Sequence, residues 1–136
     1  MDRKSNLEFK EELEKRTRSF ASDVFRFLDK LPQTTSTRVI ALQLGKSASS
    51  IGANYREANR AESRQDFSHK IQIALKEASE SCYWMEVLED IHPSCDALAN
   101  LHDECIHLRN LLQSIVNGTR TRQPTNPPTH QPTNQL

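Results

Sequence analysis

Apolar residues recur at alternating steps of three and four along four successive segments, and this spacing constrains the fold more than any other feature. In a helix, it places the apolar side chains on one stripe. The segments are separated by breaks near residues 31–36, 62–66 and 91–94. The first and third breaks contain a proline, and in the second break Ser63 followed by Asp66 resembles a helix cap. The predicted stripes are Leu13, Thr17, Phe20, Val24, Phe27 and Leu31; Ile40, Leu44, Ser47, Ile51, Asn54 and Ala58; Phe67, Ile71, Ala74, Ala78, Ser81, Met85 and Leu88; and Leu98, Leu101, Cys105, Leu108, Leu112 and Ile115.

Short links between the segments make neighbouring helices antiparallel. The sequence therefore predicts an all-α fold, an up-down-up-down antiparallel four-helix bundle over residues 1–118, with Gly118 ending the last helix. The chain has only three glycines, too few for a small all-β or Rossmann-like domain. Residues 119–136 contain four prolines and a single hydrophobic residue, Leu136, and are expected to form a disordered Pro/Thr/Asn/Gln-rich tail.

The cysteines and the apolar runs indicate where the protein acts. Three cysteines cannot all pair within one chain, and no charged-then-apolar leader opens the sequence, so we expect a cytoplasmic protein with reduced thiols. A membrane-spanning helix needs about 20 apolar residues, far more than any uninterrupted run here. No membrane association is predicted.

The formal net charge of zero hides an uneven distribution. Residues 1–76 hold 15 basic and 10 acidic side chains, residues 77–108 hold 8 acidic and none basic, and residues 109–136 hold 3 basic and none acidic. The bundle topology gathers basic groups near the link between helices 2 and 3, which favours binding of RNA or DNA phosphates or docking of another subunit. An ordinary solvated surface is the alternative. The expected phosphate contacts are Lys46, Arg56, Arg60, Arg64, Lys70 and Lys76.

Two aromatic residues, Tyr83 and Trp84, fall off the apolar stripe of helix 3. They indicate either a wider core face or an aromatic anchor between subunits. Because Tyr55 and Val87 also widen the apolar surface, we expect these four residues to contribute to an oligomer interface.

Small side chains define the predicted contact between helices 2 and 3. Counted outward from their link, Ser47 and Ala48 face the region of Ser81, so the two backbones can approach closely. Asn54 lies on the same stripe, and we expect its amide to be satisfied by hydrogen bonds inside the bundle.

Two Glu-x-x-His pairs, Glu89 with His92 and Glu104 with His107, are typical of di-metal carboxylate bundles. An axial offset of about 15 Å between His92 and Glu104 argues against a shared site. With no CxxC, phosphate-binding glycine loop or nucleophilic triad either, we predict no catalytic residues, metal or cofactor.

The segment from Leu42 to Ala58 carries a family resemblance, through Gln43-Leu44, Ser50 with Asn54, and Asn54 with Glu57. Over roughly residues 15–117 the chain resembles the bacterial four helix bundle proteins, also named 23S ribosomal RNA intervening sequence proteins or S23-like proteins. The resemblance implies an up-down bundle that assembles into a ring, typically a pentamer, with no defined catalytic residues and a nucleic-acid role.

These features together predict a non-enzymatic, cytoplasmic homo-oligomer that binds RNA or DNA through the basic surface near the helix 2 to helix 3 end. The alternative is a structural or adaptor assembly that binds a protein partner at its acidic end. A di-metal carboxylate bundle ranks third.

Overall fold

The computed structural model describes residues 3–93 and 95–122, and all of the regular structure in these residues is helical. Helix α1 spans Arg3–Asp29, α2 spans Thr35–Asn59, α3 spans Arg64–Ile91 and α4 spans Asp96–Arg122. At the rise of an α-helix each is about 40 Å long. The all-α prediction is confirmed.

The starts of α2 and α3 are fixed by hydroxyl caps. Thr34 accepts a hydrogen bond from the Thr37 backbone amide at 3.1 Å, and the Thr37 hydroxyl accepts one from the Thr34 amide at 2.9 Å. Ser63 accepts from the Asp66 amide at 3.0 Å. These caps satisfy amides that have no partner within their own helix, and they place the helix starts at the predicted breaks.

The helices pack in a square, in chain order. In the described residues α1 contacts α2 and α4, and α3 contacts α2 and α4, whereas neither diagonal pair approaches closely. Since consecutive helices are joined by short links, this is the predicted up-down-up-down bundle. The links place the α2–α3 turn, the start of α1 and the end of α4 at one end, which we call the basic end; the α1–α2 and α3–α4 turns lie at the other.

The core follows the predicted stripes closely, and even the polar Thr17 is fully enclosed. The largest departure is on α2, where Tyr55 is buried with 1 % of its surface exposed and Asn54 is only half-buried. The Asn54 amide donates to the Ser50 carbonyl on its own helix at 2.9 Å. The prediction of an Asn54 enclosed in the bundle was therefore wrong, since the larger Tyr55 side chain occupies that stripe. The buried hydrophobic residues are Leu13, Phe20, Val24, Leu28, Ile40, Leu44, Ala48, Ile51, Tyr55, Ala58, Ile71, Ala74, Ala78, Cys82, Met85, Leu88, Leu98, Cys105, Leu108, Leu112 and Val116.

The contact between α2 and α3 brings Ser47 and Ser81 together, as the positions of the small residues in the sequence predicted. The buried Ser81 hydroxyl lies 2.9 Å from the Ser47 hydroxyl and 2.9 Å from the Glu77 carbonyl of its own helix. A hydroxyl that is enclosed in a core needs such partners, and these two serines supply them across the helix pair.

The end of α4 differs from the prediction. The helix passes through Gly118 and continues to Arg122, and the Thr119 hydroxyl donates to the Val116 carbonyl at 2.7 Å. A glycine ends a helix when the next turn requires a left-handed residue, and no such turn follows here. The predicted disordered tail at residues 119–136 thus begins inside the helix, and residues 123–136 lie outside the described residues. None of the described helices combines the length and apolar character needed to cross a bilayer.

Candidate nucleic-acid interface

An open groove of about 470 Å³ runs between α1 and α2 toward the basic end. The two helices approach closely at Gly52 because the small side chains that form the floor of the groove leave room between them. A Cβ atom at this position would lie 2.9 Å from the Thr17 hydroxyl oxygen and 3.4 Å from the Thr17 carbonyl carbon. The groove is lined by Glu14, Thr17, Arg18, Ala21, Ser49, Gly52, Ala53, Arg56, Glu57 and Arg60.

Two of the predicted phosphate contacts, Arg56 and Arg60, lie on the α2 side of this groove and share one carboxylate. Glu14 of α1 lies 3.4 Å from Nε of Arg56 and 3.7 Å from Nη1 of Arg60. The Asn59 side-chain amide donates to the same carboxylate at 2.9 Å. The structure thus holds an anionic group between two arginines, at the point where the helix pair opens to solvent.

A third arginine, Arg18, lies on the α1 side of the groove and is exposed. The sequence alone does not single out Arg18, because α1 mixes both charges along its whole length. The position of Arg18 across the groove from Arg56 and Arg60 depends on how α1 is rotated about its axis relative to α2. A signal did exist, since Arg18 follows Glu14 by four residues and so lies on the same side of α1.

The remaining predicted contacts are distributed over other surfaces. Lys70 of α3 donates to Glu57 of α2 at 2.8 Å, and this pairing raises the pKa of Lys70. Lys46 and Lys76 are exposed on the outer surface of the α2–α3 pair, and Arg64 is exposed at the first position of α3.

The surface near Lys46 and Lys76 also carries acidic groups. Burial and then the neighbouring Glu80 raise the pKa of Glu77, while Lys76 and Lys46 act in the opposite direction. The six predicted side chains therefore do not form one patch, and only Arg56 and Arg60 line the groove.

A model of the family described as 23S rRNA-intervening sequence protein matches residues 10–114. The chain belongs to this family. Among solved structures, it is similar to a protein of unknown function from the S23 ribosomal protein family of Bacteroides thetaiotaomicron VPI-5482. The two share 32 % sequence identity and a TM-score of 0.71, over 79 % of this chain and 97 % of the other. No curated protein matches the chain.

In this 23S rRNA-intervening sequence protein family member, the four predicted interface residues are divided between core and surface. Tyr55 is inside the bundle, so it has almost no surface to offer a second subunit, and its expected interface role was wrong. Burial also raises the pKa of Tyr55. Tyr83 is 56 % exposed, while Trp84 and Val87 are half-buried against the core.

The outer ends of α2 and α3 carry an apolar patch that includes Val87. Val39 and Ile91 are 54 % and 45 % exposed, and they line a shallow depression together with Val87. Tyr83 and Ile91 lie four residues before and after Val87, which puts all three on one side of α3. We call Val39, Tyr83, Val87 and Ile91 the apolar patch. It lies at the end opposite the basic groove.

Three of the four residues in the Glu-x-x-His pairs, Glu89, Glu104 and His107, are engaged in other contacts. Arg16 of α1 donates to both oxygens of Glu104 at 2.7 and 2.8 Å, and its Nη2 lies 2.6 Å from Nδ1 of His107. Glu89 lies 3.5 Å from Nδ1 of His102 on α4. Within residues 3–93 and 95–122, no cluster of three potential metal ligands forms.

Proposed function

We propose that this family member is a non-enzymatic homo-oligomeric bundle that binds the phosphate backbone of RNA or DNA at its basic end. The observation that carries the proposal is the convergence of Arg18, Arg56 and Arg60 on one open groove with a floor of small side chains. A guanidinium group can donate two parallel hydrogen bonds to one phosphate. The small residues of the floor let a nucleic-acid backbone come close to the three arginines.

Glu14 supports this proposal through the position of its carboxylate. Its oxygens lie between Arg56 and Arg60, where a phosphate oxygen would receive the same two charges. Arg56 and Arg60 are 46 % and 66 % exposed, and ion pairs at such exposed arginines contribute about 0–1 kcal/mol. Glu14 is only 21 % exposed and also accepts from Asn59, so a phosphate would bind the exposed N–H groups that the two arginines still offer beside the carboxylate.

Binding at this groove depends on phosphate rather than on base identity. None of the ten lining residues is aromatic, so the groove offers no platform on which a base could stack. We expect similar affinity for different sequences and a strong dependence on salt. Arg64 and Lys70 extend the basic surface around the same end of the bundle, whereas Lys46 and Lys76 lie near the middle of α2 and α3.

The test is a fluorescence anisotropy titration of a labelled single-stranded RNA across salt concentrations. The triple variant Arg18→Ala, Arg56→Ala and Arg60→Ala removes about three phosphate contacts, so the slope of log affinity against log salt should become shallower by about 2.

A charge-matched control is available at the other end of the bundle. Arg26→Ala, Lys30→Ala and Arg38→Ala removes the same charge from exposed positions near the α1–α2 turn. We expect this control to keep most of the wild-type slope. Equal slopes for the two triple variants would place binding outside the groove.

The apolar patch supports the homo-oligomer part of the proposal. Four large apolar side chains in one exposed area are typical of a contact surface, and the acidic Asp90 and Glu86 beside them can face the basic end of another copy. A ring of about five subunits is what the family resemblance implies. Val39→Glu with Ile91→Glu should lower the mass measured by light scattering.

Leu42→Glu is the matched control for that experiment. Leu42 is 72 % exposed but lies on the α1 side of α2, away from the apolar patch. An assembly that survives the patch substitutions would use a different face. Docking of a protein partner on the acidic end is the second candidate function, favoured by the same apolar and acidic side chains, and it predicts no nucleic-acid binding at any salt concentration.

A further inference from the structure

Two of the three cysteines meet in the core between α3 and α4. Sγ of Cys82 lies 3.0 Å from Sγ of Cys105, and the two residues are 2 % and 0 % exposed. Cys105 also contacts the Ala78 carbonyl through its sulfur at 3.4 Å. The third cysteine, Cys95, is half-buried just before α4. The helix pair thus holds two thiols in contact and keeps the third apart from them.

The surroundings of the pair make the two thiols unequal. The contact with Cys105 and the charge of Arg109 lower the pKa of Cys82, against the opposite effect of burial. The contact with Cys82 and burial raise the pKa of Cys105. Cys82 is also the less enclosed of the two thiols, so it is the one that an oxidant reaches first, and Cys105 is the thiol already in contact with it.

We propose that Cys82 and Cys105 form an intramolecular disulfide between α3 and α4 when the protein is exposed to a peroxide. The Cys82 thiolate attacks one oxygen of hydrogen peroxide, the O–O bond breaks, and sulfenic acid and hydroxide are formed. The Cys105 sulfur then attacks the Cys82 sulfur, the S–O bond breaks, and the oxygen leaves as water with the Cys105 proton. Two electrons pass from the two thiols to the peroxide.

The structure favours the second step over competing reactions of the sulfenic acid. A disulfide requires the two sulfurs, now 3.0 Å apart, to come closer by about 1 Å. Cys105 is the partner already in contact, whereas Cys95 is in the α3–α4 link. Burial slows the first step, because peroxide must reach Cys82 through a transient opening of the helix pair.

The disulfide would tie α3 to α4 around their turn. It closes the loop between residues 82 and 105, and a crosslink of this size is expected to raise the midpoint of thermal unfolding by roughly 5–10 °C. Because the link lies inside the bundle, it leaves the groove between α1 and α2 unchanged. The proposal is therefore independent of nucleic-acid binding.

The experiment treats the full chain with hydrogen peroxide, unfolds it in the presence of a thiol-alkylating reagent, and measures the intact mass and the alkylated positions. We expect the monomer to lose two hydrogen atoms, to keep one alkylated thiol at Cys95, and to yield a peptide pair joined through Cys82 and Cys105 that a reductant separates.

Two variants and one alternative product complete the test. Cys95→Ser should form the same crosslink, whereas Cys105→Ser, whose hydroxyl can still contact the Ala78 carbonyl, should form none and should accumulate oxidised Cys82. Alkylation of both Cys82 and Cys105 after prolonged peroxide treatment of the wild type, or crosslinking through Cys95 alone, would overturn the proposal.

Discussion

Replacing Gly52 by alanine tests how closely α1 and α2 approach beneath the groove. The added Cβ would lie 2.9 Å from Oγ1 and 3.1 Å from Cβ of Thr17. Thr17 cannot move aside easily, because it is fully buried and its hydroxyl donates to the Leu13 carbonyl at 2.9 Å. Overpacking of this kind costs about 1–3 kcal/mol.

A gain in helix propensity opposes this cost. Alanine in place of a glycine inside a helix stabilises by about 0.5–1 kcal/mol, so Gly52→Ala should destabilise by about 1 kcal/mol net. The other glycines are controls. An added Cβ at Gly118 meets no atom within 4 Å, so Gly118→Ala should stabilise by about 0.5 kcal/mol.

Gly45 provides the intermediate case. Its added Cβ would lie 2.9 Å from Cε1 of Phe25, but that ring is 46 % exposed and can rotate outward, so Gly45→Ala should change stability by less than about 0.5 kcal/mol. Urea unfolding of all three variants at one protein concentration measures these differences. A Gly52→Ala protein as stable as the Gly118→Ala protein would refute the close approach of α1 to α2.

Three further substitutions test other contacts. Ser81→Ala removes the buried hydroxyl contact with Ser47 and should cost about 1 kcal/mol in urea unfolding; no loss would mean that the contact contributes nothing. Arg16→Ala breaks the two-pronged contact with Glu104 and should cost about 1 kcal/mol at low salt and less at high salt, and a loss that does not change with salt would contradict its ionic origin. Glu77→Gln should stabilise by about 0.5 kcal/mol at pH 7. Folding raises the pKa of Glu77, so the folded protein binds a proton at this carboxyl more readily than the unfolded chain does. The stability of the wild type therefore falls as pH rises above about 4.3, the ordinary pKa of glutamate, and the advantage of glutamine should vanish below that pH. An advantage that stays constant with pH would contradict this prediction.

The helices, their order and most core positions were predictable because hydrophobic spacing and capping act locally. The breaks at Thr34 and Ser63 and the Ser47–Ser81 contact follow from spacing and from counting along two antiparallel helices. Local signals were insufficient on α2, where Asn54 and Tyr55 both continue the spacing after Ile51. Side-chain volume decided this position in favour of tyrosine.

The candidate site was only partly predictable, because it depends on contacts between helices. Arg56 and Arg60 were expected near the basic end, but their shared partner Glu14 is 42 and 46 residues away in the chain. The apolar stripe of α1 predicts its inward face, but it does not say which flank of that stripe lies against α2 and which against α4. Arg18 was missed for the same reason.

Assembly and phosphate binding can be tested together by light scattering after size-exclusion chromatography, with and without a structured RNA, at about 50 mM and about 500 mM salt. We expect a mass several times the 15.6 kDa of one chain, which increases when RNA is added at low salt and returns to the RNA-free value at high salt. A 15.6 kDa monomer that does not bind RNA at either salt concentration would contradict both the assembly and the nucleic-acid binding proposed for this protein.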